Sequence, residues 1–324
     1  MEKCLLPFTL DVDMLTYHNR AFPLGVIKAN IKDYDVWLCN KLINCFFREN
    51  GARLHSFDNA IWSEDIGLSK VEKKFFEREE LDQISIDIVA QNKELLNNGT
   101  YIVGNYDEYF VKGKWPYHKR HYNHDYVIFG YDDKKKVFKS AAYMADKRYQ
   151  YCDISYMDYY NSLAKSEYPI TIFNYKIDKA FAPKVDIVHI SKQLENYLLS
   201  KEDAPVSNVY YGIEAWDKLE EYVYETSESS LDLRYGRLYM EHRGIMMKRM
   251  HKLNEMGILN DEILLKDYHN NVFLPAQAIH YLFIKYNITG NDIVRQHILE
   301  IMRRVNKDEK RLIEKMLEKI GGRR

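Results

Sequence analysis

The chain has 324 residues, 47 of them basic and 48 acidic, so its formal net charge is −1. Such a balance provides no electrostatic attraction for nucleic acid or anionic lipid, and we expect neither as a partner. Its hydrophobic content of 46% is typical of a globular protein. Four cysteines without zinc spacing predict a reducing, cytoplasmic environment, and the absence of a long apolar run predicts neither signal peptide nor membrane span.

Helical patterns occupy the first third of the chain. The segment 35–48 begins with cap-type acids and ends before Gly51, and it predicts a helix with Cys39 on its apolar face. A charged segment over 70–96 carries apolar residues at helical spacing and ends at an Asn-Gly pair. We therefore expect two helices before the first strand.

Strand patterns follow from residue 100. Runs rich in β-branched and aromatic residues predict strands over 100–106, 125–131, 137–143 and 168–177. The polar segment 132–135, which lacks proline, predicts the loop of a hairpin between the second and third of these strands.

The last part of the chain is almost wholly helical. Apolar residues recur at helical spacing from Ile213 to Val223 and from Leu238 to Leu253, and two further helices are predicted over 275–287 and 291–320. The sequence thus indicates an α+β domain over 1–180 and an α-helical domain over 181–324 packed against it.

One stretch carries a resemblance to a known family. The sequence HDYVIFGYDDKKKVF is similar to the region around the catalytic histidine of papain-like proteins of the bacteriocin-processing peptidase type. Together with GTYIVGNYDEYFVKGKWPYHKRHYNHD, YYGIEAWDKLEEY and SLDLRYGRLYMEHRGIMMKRMHKL it resembles the butirosin biosynthesis protein H family. The resemblance covers most of the chain. It implies a papain-like cysteine-protease-type core, with N-terminal helices and an antiparallel sheet, joined to the helical part.

The resemblance also implies a chemistry. In that family an acyl group leaves a carrier-protein thioester, is held on a cysteine and passes to an amine, in nonribosomal peptide and polyketide pathways. A thiol needs a nearby imidazole, and often a helix N-terminus, to become a thiolate. His124 matches the base position. Cys39 is the cysteine nearest the start of the predicted helix 35–48, where such folds place the nucleophile.

The third member of a triad is missing from its usual place. Relatives with a working triad carry an aspartate about sixteen residues after the histidine, where this chain has Ser140. A backbone carbonyl, Ser140 or Asp146 is expected to orient the ring of His124 instead. We expect Trp37, Trp115 and Tyr117 to form the wall of a narrow cleft for a phosphopantetheine arm, with no other cofactor.

Simpler interpretations remain open for these residues. Cys39 also fits a small buried apolar residue, and His124 a polar residue at a strand end. No metal site is predicted, because His118, His121 and His124 are spaced by three in a loop without a nearby cysteine.

Polar residues in the helical part form a further candidate group. Asp232 is a candidate helix cap, and His242 and Arg249, seven residues apart, share one helix face. Together with Arg234 they either grip a ligand or carrier arm, or hold the helical part in place within the protein.

Two functions follow from these observations. The first is a cysteine-dependent acyltransferase that takes an acyl group from an acyl or peptidyl carrier protein and passes it to a small-molecule amine. The second is a papain-fold protein without a working triad that serves such a pathway by binding or scaffolding. The missing strand carboxylate favours the second, but it does not exclude the first.

Overall fold

The protein is represented by a computed structural model. The structure describes residues 2–48, 53–56, 68–202, 205–226 and 230–321. It is a mixed α+β protein with 52% helix and 19% strand, which confirms the predicted class, and it contains an antiparallel sheet. Two compact units are formed, the first by 1–32 and 60–182 and the second by 33–59 and 183–324.

The elements are numbered here along the chain. The strands are β1 (Lys3–Leu5), β2 (Cys45–Arg48), β3 (Arg53–Ser56), β4 (Leu68–Phe76), β5 (Thr100–Asp107), β6 (Asn123–Asp132), β7 (Val137–Tyr143), β8 (Tyr149–Ser155), β9 (Ile170–Ile177) and β10 (Val209–Tyr211). The α-helices are α1 (His18–Asn30), α2 (Tyr34–Cys39), α3 (Ile88–Asn97), α4 (Tyr156–Ala164), α5 (Ile187–Leu198), α6 (Gly212–Glu225), α7 (Leu233–Glu255), α8 (Glu262–Tyr268), α9 (Leu274–Thr289) and α10 (Asp292–Gly321).

A seven-stranded sheet forms the first unit. Its order is β4-β9-β5-β6-β7-β8, and β1 adds to β6 beside this path. The pairings of these strands are antiparallel, and the predicted hairpin is confirmed, since β6 and β7 pair directly. The start of β6 lies opposite the end of β5, with His124 paired to Tyr106. This register brings the residues that follow β5 close to those that begin β6.

Helices α1, α3 and α4 pack against this sheet. A buried cluster of tyrosine, phenylalanine and aliphatic side chains includes Tyr106, Tyr126 and Ile128 from the sheet, Leu96 from α3 and Leu163 from α4. The first long helix, α1, contacts β6 and begins at His18. The apolar face of the central strands therefore accounts for both the core and the placement of these helices.

Two of the predicted helices are wrong in part or in whole. The predicted helix 35–48 ends at Cys39, because Leu42 adopts a positive φ of 57°, and Cys45–Arg48 forms β2 between β10 and β3. The first part of the predicted helix 70–96 is β4, an edge strand rich in lysine, and only Ile88–Asn97 of that range is α-helical. Valine and aromatic residues fit the helical period as well as the strand period. For the first part of the range 70–96, pairing with β9 selects the strand.

The second unit combines a small sheet with the C-terminal helices. Residues 33–59 belong to it, and β2 pairs with β10, which precedes α6. The predicted helices after residue 210 are observed as α6, α7, α9 and α10, and a π-helical turn separates α8 from α9. Among the described residues, no helix is both long and apolar enough to cross a membrane.

Candidate functional site

His124 lies near the start of β6 and keeps part of its ring in solvent. Its side chain is 32% exposed, whereas the strand residues that follow Tyr126 are buried. Nδ1 of the ring faces two partners, Glu108 and His18, and the described residues provide no hydrogen-bond partner for Nε2. The ring is thus held on one side and open on the other.

Glu108 supplies a buried carboxylate next to this ring. It follows β5 in a short 3-10 turn, and its Oε1 lies 3.3 Å from Nδ1 of His124 and 2.8 Å from Nζ of Lys114. Burial by itself would raise the pKa of Glu108, but the bonds with His124 and Lys114 outweigh it and lower that pKa. Glu108 is therefore a carboxylate at neutral pH, and the Lys114 side chain, 1% exposed, compensates its charge.

His18 is the second partner of His124. Its Nδ1 lies 3.1 Å from Nδ1 of His124, and its Nε2 accepts a hydrogen bond of 3.2 Å from the backbone N–H of Tyr143. The ring stacks between Phe22 and Tyr143. Burial, followed by the nearby charges of His124 and Lys114, lowers the pKa of His18 well below its ordinary value, so it is neutral at pH 7.

These bonds determine where the protons lie. Because Nε2 of His18 is an acceptor, the single proton of this neutral ring is on Nδ1, which donates to Nδ1 of His124. Neutral His124 then carries its own proton on Nε2, the nitrogen that faces outward. The bond between Nδ1 of His124 and Oε1 of Glu108 needs a proton on Nδ1, so it forms when His124 carries two protons, and Glu108 then stabilises the cation. The arrangement can donate a proton outward and hold a positive charge.

Exposed aromatic and basic side chains border His124. Tyr122 stacks on the His124 ring at a centroid distance of 5.6 Å. The guanidinium of Arg120 lies 4.2 Å from the ring centroid of Trp115, which is half exposed, and 5.3 Å from that of Tyr122. Tyr117 stacks on His118 at 4.1 Å. This rim can contact an anionic or apolar group that approaches the site.

His121 belongs to a separate pair. Its Nδ1 lies 2.6 Å from Oδ2 of the fully buried Asp107, and its Nε2 lies 3.4 Å from Oε1 of Glu167. Asp107 also accepts the backbone N–H groups of Tyr109 and Tyr122, so this pair fixes the loop between β5 and β6. No cluster of three or more potential metal ligands occurs in the part of the chain that the structure describes.

The expected orienting residues lie elsewhere. Ser140 is buried on β7, where it pairs with Cys152 of β8, and Asp146 is exposed and accepts from Gln150 and the backbone of Arg148. The side chains that contact Nδ1 of His124 are Glu108 and His18. The spacing points to the returning strand β7, whereas the carboxylate next to the ring, Glu108, follows β5 on the other side of β6.

Cys39 does not begin a helix. It is the last residue of α2, is fully buried, and its carbonyl accepts from Nε of Arg249 at 2.8 Å. Burial, only partly offset by the Arg249 charge, raises the pKa of the Cys39 thiol to about 11. These properties are opposite to those of an activated thiol. Cys39 lies in the second unit and His124 in the first, and their pairing stays a prediction.

The remaining candidates lie in the second unit. Trp37 is 1% exposed and stacks on Tyr34, so its ring belongs to the interior of this unit; the cleft predicted with Trp115 and Tyr117 stays a prediction. Asp232 caps α7 through the N–H of Arg234 and pairs with the Arg234 side chain.

The two polar residues on α7 hold a backbone segment. Nε2 of His242 donates to the carbonyl of Ile43 at 2.8 Å, and Arg249 donates to the carbonyls of Cys39 and Lys41. Both side chains are fully buried or nearly so. Of the two roles left open for His242 and Arg249, these contacts favour holding the protein together.

Glu108, Lys114 and His18 are not among the site residues that the sequence predicts. The hairpin pattern of β5 and β6 contained a signal for Glu108, because residues just after one strand and at the start of its antiparallel neighbour must lie close together. No local signal could have found His18, which is 106 positions away from its partner.

The sequence was compared with protein-family models and with curated proteins, and neither comparison gave a match.

Proposed function

We propose that this protein transfers an acyl group from a carrier-protein thioester to an amine, with His124 as the group that moves the proton. The observation that carries the proposal is the His124 ring, held at Nδ1 by Glu108 and His18 and open at Nε2. The substrate class comes from the resemblance to the butirosin biosynthesis protein H family, and so does the papain-like assignment of the fold.

The proposed reaction needs no covalent acyl-enzyme. The amine nitrogen attacks the thioester carbonyl, and the C–S bond breaks as the C–N bond forms. His124 in its doubly protonated form gives the proton on Nε2 to the leaving sulfur and becomes neutral, and the positively charged nitrogen formed by the attack then returns one proton to Nε2. The products are an amide and a free thiol. Glu108, a carboxylate next to Nδ1, stabilises the imidazolium whenever His124 carries two protons.

One observation favours a second candidate, a binding protein without catalysis. The family resemblance places the thiol at the start of the first long helix, and in this structure the first long helix starts with His18. On this proposal the site at His124 and its exposed rim of Trp115, Arg120 and Tyr122 bind a carrier-tethered acyl group and do not process it.

An assay of thiol release and amide formation tests the first proposal. The full chain is incubated with an acyl-phosphopantetheine thioester and a set of small amines, and products are followed by mass spectrometry. His124→Asn should lower the rate by about 10²-fold or more, while Cys39→Ala should leave it unchanged. A further variant, Glu108→Gln, removes the carboxylate next to His124. Its control is Glu167→Gln, which removes an exposed carboxylate near His121.

The outcomes separate the alternatives. Loss of activity in Cys39→Ala, with an acyl adduct on Cys39 in the wild type, would overturn the direct transfer and support the pair of Cys39 and His124. Saturable binding of the thioester without turnover by the wild type would favour the binding protein. Circular dichroism of each variant verifies that the fold is retained.

A further inference from the structure

A second concave region lies in the first unit, near the far end of β6 from His124. It is a cavity of about 600 Å³ lined by residues of the N-terminal segment and of β6, β7 and β8. Ligand sites of proteins commonly fall between about 300 and 1,000 Å³. Gly130, the partner of Leu5 in β1, is six positions beyond His124, which corresponds to roughly 20 Å along a strand. The cavity is therefore separate from the candidate site.

The strand register places the backbone of β1 directly against Gly130 of β6. Leu5 pairs with Gly130, and Gly130 pairs with Lys139, so these three positions share one face of the sheet. Gly130 has no side chain, and an added Cβ would meet the backbone oxygen of Cys4 at 2.5 Å. A β-bulge between Ile128 and Gly130 interrupts the regular alternation of β6 at this point.

Three aromatic rings form one wall of the cavity. Phe8 stacks on Phe129 with centroids 4.5 Å apart and planes within 4°, and Tyr151 stands nearly perpendicular to both rings. The hydroxyl of Tyr151 donates to the carbonyl of Phe8, which fixes the corner. Tyr151 and Leu5 are each more than half exposed although both are large and apolar. Such a corner offers planar apolar surface to an aromatic ligand.

The charges around the cavity favour an anion. Lys139 is paired with Asp153 at 2.8 Å, and Asp132 accepts the backbone N–H of Lys135. In the part of the chain that the structure describes, no carboxylate pairs with the ammonium groups of Lys3 and Lys135. Asp132, which lies opposite Lys3 in the pairing of β1 with β6, offsets one of these charges, so the lining keeps one net positive charge next to an aromatic wall.

We propose that this cavity binds a small planar aromatic anion, such as an aryl carboxylate, with its ring against Phe8, Phe129 and Tyr151 and its charge toward Lys3 and Lys135. The proposal is independent of the function assigned to His124. It concerns a binding site and includes no chemical step.

Binding of 2-naphthoate to the full chain, followed by ligand-observed NMR and calorimetry, tests the proposal. Saturable binding is expected, and the neutral analogue 2-naphthalenemethanol should bind several-fold more weakly. The double variant Lys3→Glu/Lys135→Glu should lower the affinity for 2-naphthoate by about tenfold. Lys165→Glu/Lys176→Glu reverses two exposed charges of the same unit outside the cavity and should have no effect.

Further measurements keep the test decisive. Tyr151→Ser should weaken both probes alike, because it removes apolar wall and no charge, and His124→Asn should change neither. Raising the salt concentration should weaken 2-naphthoate binding to the wild type and leave the alcohol unaffected. The proposal is overturned if 2-naphthoate does not saturate at millimolar concentration, or if the two double variants lower its affinity equally.

Discussion

Two histidines, one in each unit, show how differently this chain uses the same side chain. His124 in the first unit is one-third exposed, and its ring touches a carboxylate and a second imidazole. His242 in the second unit is fully buried, and its Nε2 donates to the backbone carbonyl of Ile43. Burial, followed by the charge of Arg243, lowers the pKa of His242 to about 3. The first ring keeps Nε2 without a partner among the described residues, whereas the second is kept neutral.

The carboxylates of the two units differ in the same way. Glu309 of α10 is buried with Arg243 of α7 at 2.6 Å and accepts hydrogen bonds from Tyr197 and Tyr268. Glu108 is paired with buried Lys114 and faces an imidazole that reaches solvent. A network closed on all sides stabilises a fold, and one with an open end can serve chemistry. The predictions below test this contrast.

The largest expected effect is on the stability of the second unit. Arg243→Met leaves the Glu309 carboxylate buried without its cation, which should lower the free energy of unfolding by about 3–5 kcal/mol. Arg311→Met is the matched control, because Arg311 pairs with Asp308 on the surface of α10, the helix that carries Glu309. This variant should lower the free energy of unfolding by less than about 0.5 kcal/mol. Denaturant titration measures both. Equal losses would contradict a structural role for the buried pair.

The next effect is a pH dependence of unfolding caused by His242. Its pKa is about 3 in the folded protein and about 6.5 in an unfolded chain, so the unfolded state binds the proton first as the pH falls. The contribution of neutral His242 to the free energy of unfolding is therefore complete above the pKa of the unfolded chain, and it is lost as the pH falls toward the folded pKa of about 3. We expect a slope of about 1.4 kcal/mol per pH unit between these values from this residue alone.

Urea midpoints between these two pKa values measure that slope. His242→Gln should remove the part due to His242, although it also lowers stability at neutral pH. His251→Gln, on the exposed side of the same helix, is the matched control and should keep the wild-type slope. A wild-type slope that survives in His242→Gln would show that another group titrates.

Alkylation of Cys39 is expected to be slow. A thiol with a pKa of about 11 carries roughly 300-fold less thiolate at neutral pH than an ordinary cysteine with a pKa near 8.5. Iodoacetamide labelling followed by peptide mass spectrometry should place Cys39 behind Cys4, which is partly exposed. The reverse order would support the pairing of Cys39 with His124 and weaken the contrast between the units.

The smallest effect concerns the tautomer of His124. In the wild type its proton should lie on Nε2, because Nδ1 accepts from His18. In His18→Phe, which keeps an aromatic ring beside Phe22, Glu108 is the remaining partner and the proton should move to Nδ1. Long-range ¹H–¹⁵N spectra of the imidazoles distinguish the two forms. The signals of His121, held by Asp107, should stay in place and serve as the control.

Local patterns were sufficient for the regular parts of the fold. The hairpin of β6 and β7 and the long helices α7 and α10 follow from apolar periodicity and turn residues over a few positions. The segments predicted wrongly, 35–48 and 70–96, fit the helical and the strand period at once. Strand pairing decided between them: β2 lies between its neighbour β3 and the distant β10, and β4 pairs with β9, more than 90 positions away.

What the sequence alone determined is the α+β class, the late helical part and His124 as the residue to examine. Only the tertiary structure decided what surrounds that ring, because its partners come from separate elements, Glu108 after β5 and His18 at the start of α1. The pKa of the Cys39 thiol also depends on the tertiary structure. Burial raises it, and the charge of Arg249, 210 positions further along the chain, partly offsets that effect. A pKa depends on desolvation and on charges nearby in space, and neither quantity is written in local sequence.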